Sequence, residues 1–224
     1  MLEKLPHKRV AAKDLRAFLA DKSQHDTRQV IICQFTSEDV AEPIDGSPFD
    51  KQRYYREPEK FKGRFHEYLD CVDFLINDIY WETKYPRIIS KESLRKAVEA
   101  GKCRLKGVSD VSADECGSIE FTSRFTDIED PFLLYNPLTE EFKEKISEMG
   151  PEDILFTSVD HLPAEMPREA SSHFSVKLSP FVEQVAKSAI GRAWPEQVAD
   201  LPVEIANAVI CSEGELTPNF VYIQ

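Results

Sequence analysis

Three short polar clusters in this 224-residue sequence contain side chains suited to proton transfer. Each cluster follows a run of apolar residues, and together they hold Asn77, Asp78, Asp110, Ser112, Asp114, Asp160 and His161. Carboxylates can take up or release a proton and an imidazole can polarise a substrate, and Arg168, just beyond the third cluster, can pair with a substrate carboxylate. The residue types predict acid–base chemistry on a small anionic substrate.

Each of these side chains also has an ordinary structural explanation. Asp110, Ser112 and Asp114 are residue types that form loops and cap helices. His161, which precedes a Leu-Pro pair, can satisfy backbone groups in a turn. A metal site around Asp110 would need further histidine or cysteine ligands at suitable spacing, which the sequence does not offer, so we predict no metal.

The apolar pattern predicts the elements that position the clusters. It predicts strands at Gln29–Phe35, Phe74–Tyr80, Arg104–Val111, Pro131–Tyr135 and Ile154–Val159. Apolar residues at helical spacing predict helices that begin near Glu57, after the N-cap Ser90, at Thr139 and at Pro167. Residues 36–55 are predicted to be a loop, and Pro180 is expected to kink or break the last helix.

Alternation of strands and helices predicts the α/β class with a mostly parallel sheet that is covered on both faces. Right-handed crossovers bring the carboxyl ends of parallel strands to one edge, which is where ligands bind in open α/β sheets. We therefore expect the three polar clusters to line one cleft.

Composition excludes several classes of protein. The 40 acidic and 28 basic side chains give a net charge of −12, which disfavours nucleic acid as a partner. No apolar run reaches the length of about 18 residues that a membrane helix needs, so no membrane association is predicted. Five cysteines without a CxxC pair predict a reducing compartment. The opening MLEKLPHKRV predicts the cytoplasm, with the mitochondrion as the alternative although no transit peptide is seen.

The glycines provide no phosphate-binding loop. The sequence has eight of them, and the nearest pair, Gly101 and Gly107, lies six positions apart. Neither a G-x-G-x-x-G motif nor a P-loop is therefore present, and G-x-S-x-G is absent as well. The sequence predicts no cradle of its own for a nucleotide pyrophosphate.

Four longer motifs resemble one enzyme family. They are DVSADECGSIEF at 110–121, FLINDIYWE at 74–82, SVDHLPAEMPREAS at 158–171 and AVICSEGELTPNFVYIQ at 208–224. In the same order, and together with PHKRV at 6–10, they resemble the C-terminal half of lysine-ketoglutarate reductase, the saccharopine-forming part of α-aminoadipic semialdehyde synthase, and the related saccharopine dehydrogenases. More distantly, the chain is similar to the nucleotide-binding domain of alanine dehydrogenase and pyridine-nucleotide transhydrogenase.

The resemblance implies a fold and a reaction. The fold would be a Rossmann-like, doubly wound, mostly parallel sheet at residues 1–165, followed at 166–224 by a helical segment that returns to the substrate domain. The reaction would be condensation of lysine with 2-oxoglutarate to an imine, which NADPH reduces to saccharopine. Residues 11–13 place no acid at the end of the second Rossmann strand, which favours NADP, with NAD as the alternative.

The strand-end positions and the resemblance together assign roles to individual residues. Asp114 would be the catalytic aspartate, and Asp110 and Arg168 would bind substrate. The residues expected at the cofactor are Asn77, Tyr80, Trp81, Ser112, Asp160, His161 and Leu162.

Parts of the family's enzyme are expected to lie upstream of this sequence. They are the first Rossmann strand, the glycine-rich loop, and the domain with the catalytic Lys/His pair. The sheet is then expected to be incomplete, with an apolar edge or gap that a separately encoded N-terminal half, a second copy of the chain or a rearrangement would fill. Alone, the chain is expected to bind dinucleotide weakly and to reduce nothing.

Three hypotheses remain open at this point. The chain is an oxidoreductase component of lysine degradation, a binding or regulatory module descended from that enzyme, or part of a longer polypeptide. The first two hypotheses are distinguished by mixing the chain with an N-terminal half, lysine, 2-oxoglutarate and NADPH and by testing whether NADPH is consumed.

Overall fold

The computed structural model describes residues 4–188 and 192–223. Within these ranges, the chain divides after Leu162 into two compact units. The roles predicted for residues 1–165 and 166–224, dinucleotide binding and return to a substrate domain, stay predictions.

The first unit is built from short strands and helices in mixed order. They are β1 (His7–Arg9), α1 (Leu15–Ala20), β2 (Val30–Ile32), α2 (Ser37–Val40), β3 (Ala41–Pro43), α3 (Lys51–Arg56), β4 (Phe61–Gly63), β5 (Phe74–Asn77), α4 (Lys91–Glu99), β6 (Gly107–Asp110), β7 (Leu133–Asn136), β8 (Glu141–Lys143) and β9 (Ile154–Thr157). The second unit contains α5 (Pro167–Ala186), α6 (Val203–Ala208), β10 (Cys211–Ser212) and β11 (Glu215–Leu216).

The largest sheet in the described residues has five strands in the order β5-β6-β9-β7-β8. The strands β5, β6 and β9 are parallel neighbours, whereas β7 is antiparallel to both β9 and β8. Four of the five strands therefore run in the same direction. The predicted α/β class with a mostly parallel sheet is confirmed at this level, while the Rossmann-like, doubly wound topology stays a prediction.

One face of this sheet packs on the core of the first unit. Alternating side chains of the strands, such as Val108 and Phe156, point to this face and are at most 2% exposed. They meet Leu94 of α4 and Phe121, whose ring stacks on that of Tyr135 at a centroid distance of 4.3 Å. Burial of each such side chain stabilises the fold by about 1.5–3 kcal/mol, so this packing fixes the positions of the strand ends.

The opposite face is open at β5. Phe74 is 69% exposed and Ile76 is 54% exposed, and both point away from the core. Among the described residues, the outer edge of β5 pairs with no strand, and β1 and β2 form a separate parallel pair. A cleft of about 2300 Å³ is lined by both β2 and β5. A free apolar edge of this kind is what a sheet that lacks one strand leaves.

The helix predicted after Ser90 is confirmed as α4. The Ser90 hydroxyl accepts a hydrogen bond from the Ser93 backbone N–H at 3.1 Å, which caps the first turn. Gly101 follows the helix with a φ of +63°, a conformation that glycine adopts without strain. Leu94 is fully buried, as its place on the apolar face predicts.

The helix predicted from Glu57 is wrong. Residues 57–72 instead form two short 3₁₀ turns and β4, which pairs antiparallel with β3. Phe61, Phe65 and Leu69 are buried as their spacing suggested, but they enter two different apolar clusters. Their spacing therefore reflects burial in tertiary structure, not one helical face.

The helix predicted from Thr139 is also wrong. The chain turns back after β7 and forms β8, which extends the sheet. The Asn136 side chain accepts hydrogen bonds from the backbone N–H groups of Leu138 and Thr139, and Glu140 has a φ of +59°. Phe142 packs on the core as a strand residue. The hairpin turn that Asn136 stabilises therefore determines the conformation of this segment, although its apolar residues have helical spacing.

The loop predicted at residues 36–55 is wrong in part, because the chain forms α2, β3 and α3 there. Thr36 and Asp39 form a capping box at α2, and Asp50 caps α3 by accepting from the Arg53 backbone N–H at 2.6 Å. These caps provide hydrogen-bond acceptors for backbone N–H groups at the starts of the two helices. The proline and glycine residues of the segment had favoured the prediction of a loop.

The helix predicted at Pro167 is confirmed in the second unit. It is α5, with Pro167 in its first turn, where the missing N–H of proline costs nothing. The helix continues through Pro180, so a break does not occur there. The strands β10 and β11 form an antiparallel hairpin after α6.

Candidate functional site

A buried polar network lies at the carboxyl ends of β5 and β6. Asn77 and Asp110 are register partners on the two strands, and they are 3% and 1% exposed. The Asn77 amide nitrogen lies 2.7 Å from Asp110 Oδ1, 3.0 Å from Ser112 Oγ and 2.8 Å from Ser118 Oγ. The pairing of β5 with β6 therefore brings Asn77, Asp110 and Ser112 together, three residues that the sequence placed at the site.

Both carboxylate oxygens of Asp110 are occupied by hydrogen bonds. Oδ1 accepts from Asn77 and, at 2.7 Å, from the Ser112 hydroxyl, while Oδ2 accepts from the Thr122 hydroxyl at 2.6 Å. A buried carboxylate is costly unless donors surround it, and here each oxygen has at least one. Asp110 is thereby held inside the network.

Asp114 lies in the loop that follows β6 and is half-buried. Desolvation, and then the negative charge of Asp110, raise the pKa of the Asp114 carboxyl. The loop folds tightly at this point, because the Gly117 N–H donates to the Asp114 carbonyl at 3.0 Å. A Cβ on Gly117 would come within 2.5 Å of the Asp114 Cβ, so only glycine fits there. A half-buried carboxyl with a raised pKa suits a general acid or base.

Asp160 and His161 follow β9, the neighbour of β6 in the sheet, and both are exposed. The Nδ1 atom of His161 lies 2.5 Å from Asp160 Oδ1. This hydrogen bond raises the pKa of His161, with smaller contributions from Asp127 and Glu129. Leu162 is 40% exposed. The three residues thus leave the sheet at the same edge as Asp110, on the surface of the first unit.

Arg168 lies in the first turn of α5, in the second unit, and is exposed. Its predicted pairing with a substrate carboxylate stays a prediction.

Tyr80 and Trp81 lie just beyond β5. Tyr80 is 82% exposed, and its hydroxyl donates to Glu82 at 2.5 Å. The Trp81 indole N–H donates to the Pro86 carbonyl at 3.2 Å, and its ring faces the Arg87 guanidinium at 5.4 Å. Both aromatic residues have exposed area that a planar ligand can contact.

The cleft beside β5 gathers only part of the predicted site. Its lining includes Asn77, Tyr80 and Trp81, together with residues of β2 and the open sheet face. Asp110, Asp114 and His161 are not among the residues that line it. The predicted single cleft is thus split into an apolar cleft at β5 and a polar edge at the exits of β6 and β9.

The phosphate part of a dinucleotide does not fit this chain. Pyrophosphate is normally held by a glycine-rich turn and the helix N-terminus behind it, and the described residues contain no such turn before a helix. No catalytic step through a bound cofactor therefore follows from this chain alone. The described residues also contain no cluster of three or more side chains suited to hold a metal ion.

Two members of the network were missed by the sequence analysis. Ser118 and Thr122 are at most 1% exposed, and they bond to Asn77 and Asp110 respectively. They flank the buried residues Ile119 and Phe121. Short hydroxyl side chains beside such apolar residues were the available signal, because buried polar groups need partners.

Comparison with known proteins finds relatives named α-aminoadipic semialdehyde synthase and saccharopine dehydrogenase. It is similar to α-aminoadipic semialdehyde synthase of Arabidopsis thaliana, with 35% identity over 98% of this chain and 20% of the relative. The mitochondrial α-aminoadipic semialdehyde synthase of Bos taurus is 32% identical over 79% of this chain. Saccharopine dehydrogenase (NAD⁺, L-lysine-forming) of Emericella nidulans is 32% identical over 65% of this chain and 36% of its own length.

The chain spans about a fifth of the length of the plant and cattle relatives. No protein-family model matches it. Among the described residues, no helix combines the length and apolar character that crossing a membrane requires.

Proposed function

Because the chain belongs to the family of lysine-ketoglutarate reductases and saccharopine dehydrogenases, we propose that it is a component of a pyridine-nucleotide-dependent oxidoreductase of lysine degradation. The observation that carries this proposal is the polar edge after β6, where a buried network supports the half-buried Asp114. The substrates are proposed to be lysine and 2-oxoglutarate, or saccharopine in the reverse direction.

The proposed reaction needs proton transfer at two points. Condensation of the lysine amine with the 2-oxoglutarate carbonyl releases water and leaves an imine. A bound reduced nicotinamide cofactor would supply a hydride to the imine carbon and would itself be oxidised, and a proton added to the nitrogen would complete the secondary amine. We assign the proton transfers to Asp114, whose raised pKa holds its proton closer to neutral pH than an ordinary aspartate does.

Other groups are assigned by the same proposal. Arg168 pairs with a substrate carboxylate, since its guanidinium can donate two parallel hydrogen bonds. The residues proposed to contact the nicotinamide cofactor are Asn77, Tyr80, Trp81, Ser112, Asp160, His161 and Leu162. NADP is favoured over NAD, because residues 11–13 provide no acid for a free ribose hydroxyl.

The pyrophosphate loop and the remaining substrate contacts are proposed to come from a further protein segment. The relatives contain about five times the length of this chain, which is ample for such a segment. It would be a separately encoded N-terminal half, and a homodimer is the alternative arrangement. The proposed compartment is the cytoplasm, with the mitochondrion named for the cattle relative as the alternative.

Reconstitution tests the proposal. The chain is mixed with the purified upstream half of the Arabidopsis relative, which is the part that precedes the region matched by this chain. Lysine, 2-oxoglutarate and NADPH are added, and nicotinamide absorbance is followed. We expect absorbance loss that requires both polypeptides and both substrates, and faster loss with NADPH than with NADH. A stable complex that consumes no NADPH or NADH would contradict the enzymatic proposal and support the binding-module hypothesis instead.

A further inference from the structure

The geometry points to Asp110 as a positioning residue: its buried carboxylate holds the loop that presents Asp114 and does not itself contact substrate. The consequence for catalysis rests on the proposed function of Asp114. The effect on the loop conformation is independent of that function, and it can be measured on the chain by itself.

Burial separates Asp110 from solvent and from ligands. Asp110 is 1% exposed, and its side-chain partners are Asn77 on β5, Ser112 in the loop and Thr122 beyond it. All three distances lie between 2.6 and 2.7 Å, which is typical of strong bonds to a carboxylate. A substrate would have to displace one of these donors to reach Asp110. The residue therefore acts from inside the protein.

Two hydrogen bonds to Thr122 close the loop that follows β6. Asp110 ends β6 and Thr122 lies twelve residues later, so their hydrogen bond closes the loop at its base. The backbone N–H of Cys116 donates to the Thr122 carbonyl at 2.7 Å, which ties the middle of the loop to the same base. Asp114 lies between these two ties.

The backbone around Asp114 adopts an unfavourable conformation. Ala113 and Cys116, on either side of Asp114, have φ values of +49° and +48°. Residues other than glycine adopt this region at a cost and keep it only where their surroundings enforce it. The bonds from Asp110 and Thr122 are among the contacts that enforce it, together with the Gly117 N–H to the Asp114 carbonyl and the Arg87 guanidinium to the Cys116 carbonyl. Loss of the Asp110 carboxylate should therefore release the backbone around Asp114.

Asp110 also acts on Asp114 through its negative charge. The side-chain donors to Asp110 are an amide and two hydroxyls, which leave its negative charge without a paired cation in the network. That charge contributes to the raised pKa of Asp114. Asp110 is thus expected to influence Asp114 in two separable ways, by loop geometry and by charge.

Two substitutions separate these effects. Asp110→Asn removes the charge but preserves the hydrogen bonds, because its amide oxygen can accept from Asn77 and Ser112 while its NH₂ donates to the Thr122 hydroxyl. Asp110→Ala removes the bonds as well. Asp153→Asn is the matched control, since Asp153 is equally buried at 1% exposed but has other partners, Asn136 and Lys143.

The measurements are NMR titration of the Asp114 carboxyl and hydrogen exchange of the Cys116 and Gly117 amides, on the full chain. Asp110→Asn should lower the pKa of Asp114 and leave amide protection within about twofold. Asp110→Ala should reduce protection of both amides at least about tenfold relative to that of Leu94 in α4. The Asp153→Asn control should change neither property.

The inference is overturned if Asp110→Asn leaves the pKa of Asp114 unchanged, or if Asp110→Ala leaves both amides protected. Should Asp110→Ala not fold, hydrogen exchange of the same amides in Thr122→Val, which lacks the hydroxyl that donates to Asp110 Oδ2, tests the hold on the loop instead. In a reconstituted enzyme, Asp110→Asn should lower kcat and shift its pH profile with an unchanged KM for lysine and 2-oxoglutarate, whereas a raised KM would indicate direct substrate contact. If the unmodified enzyme is inactive, the proposed function fails while the NMR results still test the positioning role.

Discussion

The polar residues at the strand ends differ sharply in what surrounds them. Asn77 and Asp110 are buried and saturated with internal hydrogen bonds, Asp114 is half-buried, and the Asp160–His161 pair is exposed. Buried members can fix geometry, whereas the half-buried and exposed members can exchange protons with a ligand. Asp110 is therefore suited to support the loop, whereas Asp114 is proposed to transfer protons and His161 to contact the cofactor.

His161 offers a prediction at the residue scale. Its hydrogen bond to Asp160 favours the charged imidazolium, so Asp160→Asn should lower the pKa of His161 and leave more of it neutral near pH 7. Asp127→Asn should lower it less, because Asp127 acts only through its more distant charge. NMR titration of the imidazole measures both. An unchanged pKa in the Asp160 variant would contradict the paired geometry.

Which polar residues carry the site could be predicted only in part. The clusters at Asn77, Asp110 and Asp114 were predictable because polar residues directly after apolar strands are a local signal. The burial of Asn77 and Asp110 was not predictable, since it depends on Ser118, the partner of Asn77, and on Thr122, the partner of Asp110, which the chain brings back from beyond the loop. Hydrogen-bond partners at such separation leave no periodic trace in a sequence.

At the scale of elements, predictions based on local signals were right where those signals decide the structure and wrong where distant strands decide it. The helix α4 was predictable because its cap at Ser90, its apolar face and its stop at Gly101 all lie within a dozen residues. Residues 57–72 and 139–150 carry helical spacing, yet each contains a short strand flanked by turns and no α-helix, since β4 pairs with β3 and β8 pairs with β7. Long-range strand pairing overrides local helical preference.

Two glycines provide a prediction about close packing of elements. A Cβ on Gly63 in β4 would lie 2.5 Å from the Arg87 backbone carbonyl, whereas one on Gly107 in β6 would meet the ring of the exposed Phe74 at 2.6 Å. A ring at the surface can rotate away and a backbone carbonyl cannot. Gly63→Ala should therefore lower the free energy of unfolding by about 1–3 kcal/mol, and Gly107→Ala by less. Urea denaturation measures both, and equal losses would contradict the packing.

The start of β9 yields a prediction about pH. Burial of Asp153 raises the pKa of its carboxyl, but hydrogen bonds from Lys143, Gly150 and Asn136 outweigh this and hold it below the ordinary value of 3.8. The stabilisation is therefore complete above the pKa of the unfolded state and is lost as pH falls through the lower folded value.

The variant Lys143→Met tests this, because it leaves the Asp153 carboxylate buried without its cation. Unfolding free energies from urea titrations at about pH 7 and about pH 3 are compared between the variant and the parent chain. The deficit of the variant should be large at the higher pH and shrink at the lower pH. A deficit independent of pH would show that the ion pair contributes nothing to stability.

At the scale of the whole molecule, the five-stranded sheet of the first unit has one packed face and one open edge, at β5. The exposed Phe74 and Ile76 adjoin a cleft that a further segment of the proposed enzyme would cover. Large exposed apolar surface usually marks an interaction site. The plant and cattle relatives are about five times as long as this chain, and their additional length is sufficient for a segment that covers this cleft.

The open edge gives a prediction about assembly. Ile76→Glu should weaken binding of the upstream half of the Arabidopsis relative at least about tenfold, because a buried unpaired carboxylate is costly at an interface. Ile146→Glu is the control, since Ile146 is similarly exposed, at 49%, but follows β8 at the other end of the sheet. Calorimetry measures both affinities, and equal weakening by the two variants would contradict the assignment of this edge.

The most direct test of the central claim is turnover by Asp114→Asn in the reconstituted enzyme. Loss of a general acid–base typically lowers the rate about 10²–10⁴-fold, and we predict a fall of that size in kcat with the affinity between the two polypeptides unchanged. Turnover of lysine and 2-oxoglutarate by the variant at the rate of the unmodified enzyme would contradict the account.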